Sequence, residues 1–267
     1  MAVLLVGCGK MGSALLEGWL ERGLAAADVV VVEPAEAART AFAPRGVRVV
    51  ESHASIPSDF HPGVVILAVK PQVMGDVLPS YARYGGAVFL SIAAGKTLAF
   101  FSAHLGERAA IVRAMPNTPA AVRRGMSVCV ANARVDAKGR AACQSLLEAV
   151  GDVAWIEDEA LMDAVTAVSG SGPAYVFLLA EALAAAGARA GLPGDLAERL
   201  ARATVAGAGE LLRLSSDGAG QLRVNVTSPG GTTAAALAVL MAEGKGLTEL
   251  MSEAVDAATR RGRELAG

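Results

Sequence analysis

An α/β domain built on a parallel sheet, followed by an all-helical domain, is the fold class that three observations predict. Short β-branched runs alternate with helical segments up to about residue 156. One of those runs, Val64-Val65-Ile66-Leu67-Ala68-Val69, is continuously apolar, the pattern of a strand covered by helices on both faces and hence of a parallel sheet. Beyond Glu157 the strand runs stop, and helical stretches are broken only at Ser169-Gly170-Ser171-Gly172-Pro173, Gly191-Leu192-Pro193-Gly194 and Ser228-Pro229-Gly230-Gly231. The predicted domains are therefore residues 1–157 and 158–267.

The strands follow in order. Val3-Val6 opens the sheet, and Asp28-Glu33, Val47-Val50, Val64-Val69, Ala87-Ile92, Ala109-Ala114, Met126-Val130 and Val153-Ile156 complete it. Gly7-Cys8-Gly9-Lys10-Met11-Gly12 stands between the first strand and a helical pattern, where a dinucleotide-binding fold needs its glycines. The first glycine permits the tight turn, the second lets the backbone approach a pyrophosphate, and the third lets helix and strand pack closely. The helix start then offers free N–H groups and the positive end of a dipole. A Rossmann-type domain is expected.

Composition narrows the function. With 53% hydrophobic and 4% aromatic residues over 267 positions, the core is made of Ala, Val and Leu. A net charge of -2 gives no basic stripe for nucleic acid. Cys8, Cys129 and Cys143 are an odd set without C-x-x-C spacing, which argues against a disulfide framework or zinc site and fits a reducing compartment. No secretory pattern opens the sequence, and the apolar stretch from Pro173 to Gly191 is interrupted by Glu181 and Arg189; cytoplasm, without a membrane segment, is the expectation. The Ala-rich run Ala180–Ala188 lets another helix approach closely, so at least a dimer is expected.

Glu33 ends the second strand about twenty residues after the glycines, where a carboxylate hydrogen-bonds the adenosine ribose 2'-OH and favours NAD. A simple strand-end carboxylate is the alternative. Ala68-Val69-Lys70-Pro71-Gln72 ends the fourth strand at the ligand-binding edge of the sheet, with Lys70 facing either cofactor or solvent. Met115-Pro116-Asn117-Thr118-Pro119 is a rigid turn at the same edge, suited to a nicotinamide or substrate contact or to a purely structural role. His53, His61 and His104 have no ligand or acid/base spacing, so neither a metal nor a Cys-His pair is expected, and Cys8 reads as a small loop residue. In Asn225-Val226-Thr227-Ser228-Pro229-Gly230-Gly231-Thr232-Thr233, hydroxyls and glycines at a helix start can form an anion cup for a small carboxylate. A plain N-capping turn would account for one of those hydroxyls.

Together with the glycine loop, Ala68-Val69-Lys70-Pro71, Met115-Pro116-Asn117-Thr118-Pro119 and Ser169-Gly170-Ser171-Gly172-Pro173-Ala174-Tyr175, this last segment closely resembles the pyrroline-5-carboxylate reductases over nearly the whole chain. The resemblance implies a Rossmann domain followed by a helical dimerisation domain like the C-terminal domain of 6-phosphogluconate dehydrogenase. It implies reduction of L-1-pyrroline-5-carboxylate to L-proline with NADPH or NADH, no metal, and a homodimer that often assembles into a ring of five. It places substrate contacts on Asn225, Val226, Ser228, Gly230, Gly231, Thr232 and Thr233, with the Thr233 hydroxyl meeting the ring nitrogen, and cofactor contacts on Gly7, Gly9, Lys10, Met11, Gly12, Ala68, Val69, Lys70 and Pro71. Glu33-Pro34 stands where NADPH-using members often carry Ser, Asn or Arg, and His53 stands where Asn is frequent near the adenosine end.

An imine can take its proton from water before it binds, so such an enzyme need only align the nicotinamide with the imine carbon and hold the nitrogen. That fits the lack of a His or acid at catalytic spacing. Two rivals share the glycine loop. A β-hydroxyacid dehydrogenase needs a Lys-type acid/base group on the first long helix of its second domain, and Pro173 to Ala190 contains no Lys. A nucleotide-sensing protein without catalysis would have no use for the hydroxyl-rich loop.

Overall fold

The computed structural model describes residues 1–266. Its sheet holds all eight expected strands: β1 Val3–Val6, β2 Val29–Val32, β3 Arg48–Val50, β4 Val64–Leu67, β5 Val88–Ser91, β6 Ala110–Met115, β7 Gly125–Ala131 and β8 Gly151–Trp155. They are ordered β3-β2-β1-β4-β5-β6-β7-β8. Strand pairs from β3 to β6 are parallel, but β7 runs antiparallel to β6 and carries β8 with it. The reversal departs from a wholly parallel sheet. Its cause is the β6–β7 link, residues 116–124, which is too short for the helical crossover a parallel pair needs and turns back through Arg123 at φ 60°.

The helices are α1 Lys10–Glu21, α2 Glu36–Phe42, α3 Met74–Val77, α4 Leu98–Leu105, α5 Ala137–Glu148, α6 Met162–Val165, α7 Gly172–Arg189, α8 Gly194–Leu214, α9 Ala219–Asn225, α10 Thr232–Leu240 and α11 Leu247–Ala266. β1, β2 and β4 are buried at every position, and their alternate side chains feed two separate cores. Val3, Leu5 and Ile66 pack with Leu15, Leu16 and Trp19 of α1 on one face. Leu4, Val6 and Leu67 pack with Met74, Leu78 and Phe101 on the other. The continuous apolar run of β4 is thus explained by two covered faces.

Trp19 also ties α1 to α5, its buried indole N–H donating to the Leu146 carbonyl at 2.8 Å. Trp19→Phe leaves that carbonyl without its donor and opens a gap beside it. Stability is expected to fall by about 1–3 kcal/mol, as read by urea denaturation.

The chain divides into two compact units, Met1–Gly170 with Ala258–Gly267, and Ser171–Ala257. The first unit therefore keeps α6 and a π-helical turn at Thr166–Gly170 with the sheet. The second unit is entirely helical, with α7 and α8 packed on each other. Its buried apolar residues are only Ala197 and Ala201, while Phe177, Leu178 and Val239 are 62%, 63% and 72% exposed. The helical run Glu159–Arg189 is long and apolar enough to cross a bilayer by length and composition. That same run carries Glu159, Asp163 and Glu181.

Candidate active site

In the first unit the carboxyl edge of the sheet gathers the glycine loop and the end of β4. Pairing continues past the strand ends, with Gly7 N–H donating to Val32 O and Ala68 N–H to Val6 O, both at 2.8 Å. Gly7 has φ +90°, and a Cβ there would lie 2.9 Å from both Ala68 O and Val69 Cγ1. On Gly12 a Cβ would lie 2.5 Å from Gly7 O and 3.5 Å from the Ala68 methyl. Gly9 is different, since nothing lies within 4 Å of its Cβ position. Two glycines thus close the loop on itself and one leaves a face open to a ligand. α1 begins after Gly9 without a side-chain cap, so its first-turn N–H groups have no side-chain acceptor. Lys10 is exposed and Met11 half-buried against the α1 core.

Glu33 reaches back to this loop. Its carboxylate accepts Cys8 N–H at 2.7 Å and Ala35 N–H at 2.9 Å, so the acid at the end of β2 and the glycine loop form one hydrogen-bonded cluster. Arg39, from α2, donates to Pro34 O at 2.5 Å and to Glu33 O at 3.4 Å. Burial, then the charges of Glu33 and Glu17, push the Cys8 thiol up to about 12, so it stays neutral and unreactive at ordinary pH. The same holds for Cys129 and Cys143, pushed up to about 12 chiefly by burial.

The remaining cofactor-side candidates spread along the edge. Lys70 is exposed, and Pro71 opens a short turn in which Val73 N–H donates to Lys70 O at 3.2 Å. His53 is exposed; its ring meets the edge of Tyr81 at 6.3 Å, and its carbonyl accepts from Arg83 at 3.3 Å. Those contacts belong to the turn Leu78–Tyr84, not to the glycine loop. The Tyr81 phenol is itself pushed up to about 12 by burial and the neighbouring Tyr84, against the opposing effect of Arg83.

The Met115–Pro119 turn has a partner that the sequence does not reveal. Asn117 Nδ2 donates to the carbonyl and hydroxyl of Ser169 at 3.2 and 3.3 Å, and Asn117 Oδ1 accepts Met126 N–H at 2.9 Å. A Cβ on Gly170 would lie 2.5 Å from the Met115 methyl. The Asn117 amide is therefore committed within the protein, which favours the structural reading of that side chain. Two motifs fifty residues apart in sequence (|i−j| = 52) form one joint.

In the second unit, α9 ends at Asn225 and α10 starts at Thr232 with Gly231 as its N-cap. Gly230 takes φ +69°, the left-handed region that favours glycine, and a Cβ on Gly231 would lie 2.5 Å from Ser228 Oγ and 3.2 Å from Ser228 O, so a side chain there would turn the Ser228 hydroxyl away. Gly231 N–H is spent on Ser228 O at 3.1 Å. The amides of Thr232 and Thr233, in the first turn, lack intrahelical partners by helix geometry. Asn225, Val226, Ser228 and Gly230 are exposed, and Thr233 is half-buried. The Asn225 amide is held on its own helix and the preceding turn, accepting from Gln221 at 2.8 Å and donating to Asp217 at 3.4 Å. Gln221 and Asp217 escape a sequence reading because neither lies in the motif.

A glycine loop closed over the carboxyl edge of a doubly covered sheet, with a helical unit behind it in sequence, defines a dinucleotide-dependent oxidoreductase. The Pyrroline-5-carboxylate reductase dimerisation family model matches residues 159–265, and the model for coenzyme F420-dependent NADP oxidoreductases matches residues 2–95. The pyrroline-5-carboxylate reductase of Pseudomonas aeruginosa is 41% identical over 267 residues, covering 99% of this chain and 96% of its own. The solved structure of a pyrroline-5-carboxylate reductase from Coxiella burnetii is 34% identical with a TM-score of 0.93, over 99% of this chain and 98% of that one. A Plasmodium falciparum pyrroline carboxylate reductase with NADP bound is 28% identical with a TM-score of 0.83, over 100% and 98% of the two chains. This chain belongs to the pyrroline-5-carboxylate reductase family.

Proposed function

We propose that this protein reduces L-1-pyrroline-5-carboxylate to L-proline in the cytoplasm, with NADH or NADPH as hydride donor. The observation that carries the proposal is the hydroxyl-rich turn at the start of α10, in a chain whose sheet edge presents the open face of Gly9. The dinucleotide, when bound, supplies the hydride. Gly9, Lys10, Met11 and Gly12 cradle its pyrophosphate, while Gly7, whose N–H is committed to Val32 O, closes the turn beneath it; Ala68, Val69, Lys70 and Pro71 line its other flank. Glu33 receives the adenosine ribose, with His53 towards the adenosine end.

Ser228 and the backbone amides of Thr232 and Thr233 hold the substrate carboxylate, beside Asn225, Val226, Gly230 and Gly231, whose own N–H is committed to Ser228 O. The Thr233 hydroxyl orients the imine nitrogen. The imine arrives protonated from water, so no residue of the chain has to deliver a proton and no metal is assigned a role. This agrees with the absence of Lys from α7, where a β-hydroxyacid dehydrogenase would carry its acid/base group.

Oxidation of NADH and NADPH, followed separately with and without pyrroline-5-carboxylate, tests the reaction. Oxidation that ignores the imine would refute it, and a protein that binds dinucleotide without turnover would be a sensor. Thr233→Ala is expected to lower kcat/KM by about 1–3 kcal/mol, the loss of a hydrogen bond in a buried site. Unchanged kinetics in a folded variant would remove Thr233 from the mechanism.

Residues 158–267 serve as the dimerisation and substrate-binding domain, a division supported by the family model that begins at residue 159. The working form is at least a homodimer, the unit from which a decamer would be built. The apolar surface exposed on α7 and α8 supports that reading, because it exceeds what a monomeric soluble unit leaves in water. Light scattering is expected to give a dimer or larger species at assay concentration. A stable, active monomer would contradict it.

A further inference from the structure

We propose that Arg113 is a positioning residue: through Glu159 it holds the segment 159–170 against β6, and through that segment it sets the Met115–Pro119 turn at the carboxyl edge of the sheet, the edge at which such folds place their ligands. The proposal rests on the reductase reading for its kinetic part only.

The contacts form a seam. Arg113, 5% exposed in β6, donates to Glu159 Oε1 at 2.8 Å, and the same oxygen accepts Leu98 N–H at 2.8 Å at the start of α4. Two residues further on, and so on the same face of the strand, the Met115 methyl fills the space that a Cβ on Gly170 would need. Beyond the strand, Asn117 donates to Ser169 and accepts from Met126 N–H. One end of the 159–170 segment is therefore fixed by an ion pair, and the other by an amide at Ser169 with the close-packed Gly170 next to it. Nothing in the segment can slide along β6 without breaking all three.

Stability alone does not call for this arrangement. Desolvating a guanidinium is costly, and a buried ion pair often loses to a well-packed hydrophobic replacement. What the pair supplies instead is register, since the one oxygen, Glu159 Oε1, is held at once by Arg113 of β6 and by Leu98 N–H at the start of α4. Register matters at this edge because a displacement of about 1 Å can cost roughly 100-fold in rate.

The test compares wild type with Arg113→Met, Arg113→Lys, Glu159→Gln and Ser169→Ala. Two readouts are taken well below the melting temperature: hydrogen exchange at the Met126 amide, and the isotope effect on kcat with NADH deuterated at C4. Arg113→Met is expected to keep its fold, exchange the Met126 amide faster, lose roughly 10- to 100-fold in kcat and show a larger isotope effect, with the KM for dinucleotide nearly unchanged. Arg113→Lys should recover part of each change. If Arg113→Met does not fold, Glu159→Gln and Ser169→Ala carry the test, because members of one seam should be non-additive in the double variant.

Wild-type exchange, kcat and isotope effect in a folded Arg113→Met protein would overturn the proposal, and so would additivity of the other two. A wild-type enzyme that ignores pyrroline-5-carboxylate would instead overturn the reductase reading. Met126 exchange would still decide the seam in that case.

Discussion

Gly12→Ala is expected to abolish dinucleotide binding while leaving the protein folded enough to purify. The added Cβ would sit 2.5 Å from Gly7 O, a backbone atom that cannot rotate away, and its relief would push the start of α1 off the loop. The loop amides would then no longer converge on one pyrophosphate. Backbone adjustment of this kind costs at least as much as overpacking a core, about 1–3 kcal/mol, before any ligand contact is lost. We expect affinity for NADH and NADPH to fall together by at least roughly 100-fold, as measured by quenching of protein fluorescence or by calorimetry. Gly9→Ala is the control for that claim. Its Cβ meets nothing within 4 Å, so the free protein should tolerate it and only the bound ligand should be disturbed. Tight binding by a folded Gly12→Ala variant would mean that the loop is not the phosphate cradle.

Glu33→Ser is expected to move the ratio of kcat/KM for NADPH over NADH upward by roughly 10- to 100-fold. A carboxylate at the end of β2 accepts a hydrogen bond from a ribose 2'-OH and repels a 2'-phosphate, and like charges in contact cost several kcal/mol. Cys8 N–H and Ala35 N–H fix the Glu33 carboxylate against the loop. Serine removes the charge and adds no bulk. A wild type that already favours NADPH strongly, with a ratio that the substitution does not move, would show that Glu33 serves only to cap the loop.

The Rossmann-type half was legible because its determinants are local. Eight apolar runs, a glycine loop and an acid at a set distance each follow from one short stretch of sequence, and all eight strands form where those runs lie. The reversed β7 was less legible. It depends on the length and handedness of the Pro116–Arg124 link, whereas the apolar pattern of a buried strand is the same in either direction. The joint between Asn117 and Ser169 was not legible at all. Both motifs were visible, but the contact between them is set by how the stretch after β8 returns to β6, which no single segment encodes. The same applies to Asn225, whose position suggested a ligand contact and whose amide is engaged by Gln221 and Asp217.

The helical unit that buries only Ala197 and Ala201 among its apolar side chains has a consequence for how the protein is handled. Ordering each residue costs about 1–2 kcal/mol of backbone entropy, and a unit with so small a core of its own cannot offset that cost alone. Folding of this half is then coupled to association of the chain with further copies. Its midpoint shifts with protomer concentration by mass action, so dilution acts on this protein as a mild denaturant. Rates recorded at nanomolar enzyme would decline on standing, and stabilities compared between variants hold meaning only at matched concentration.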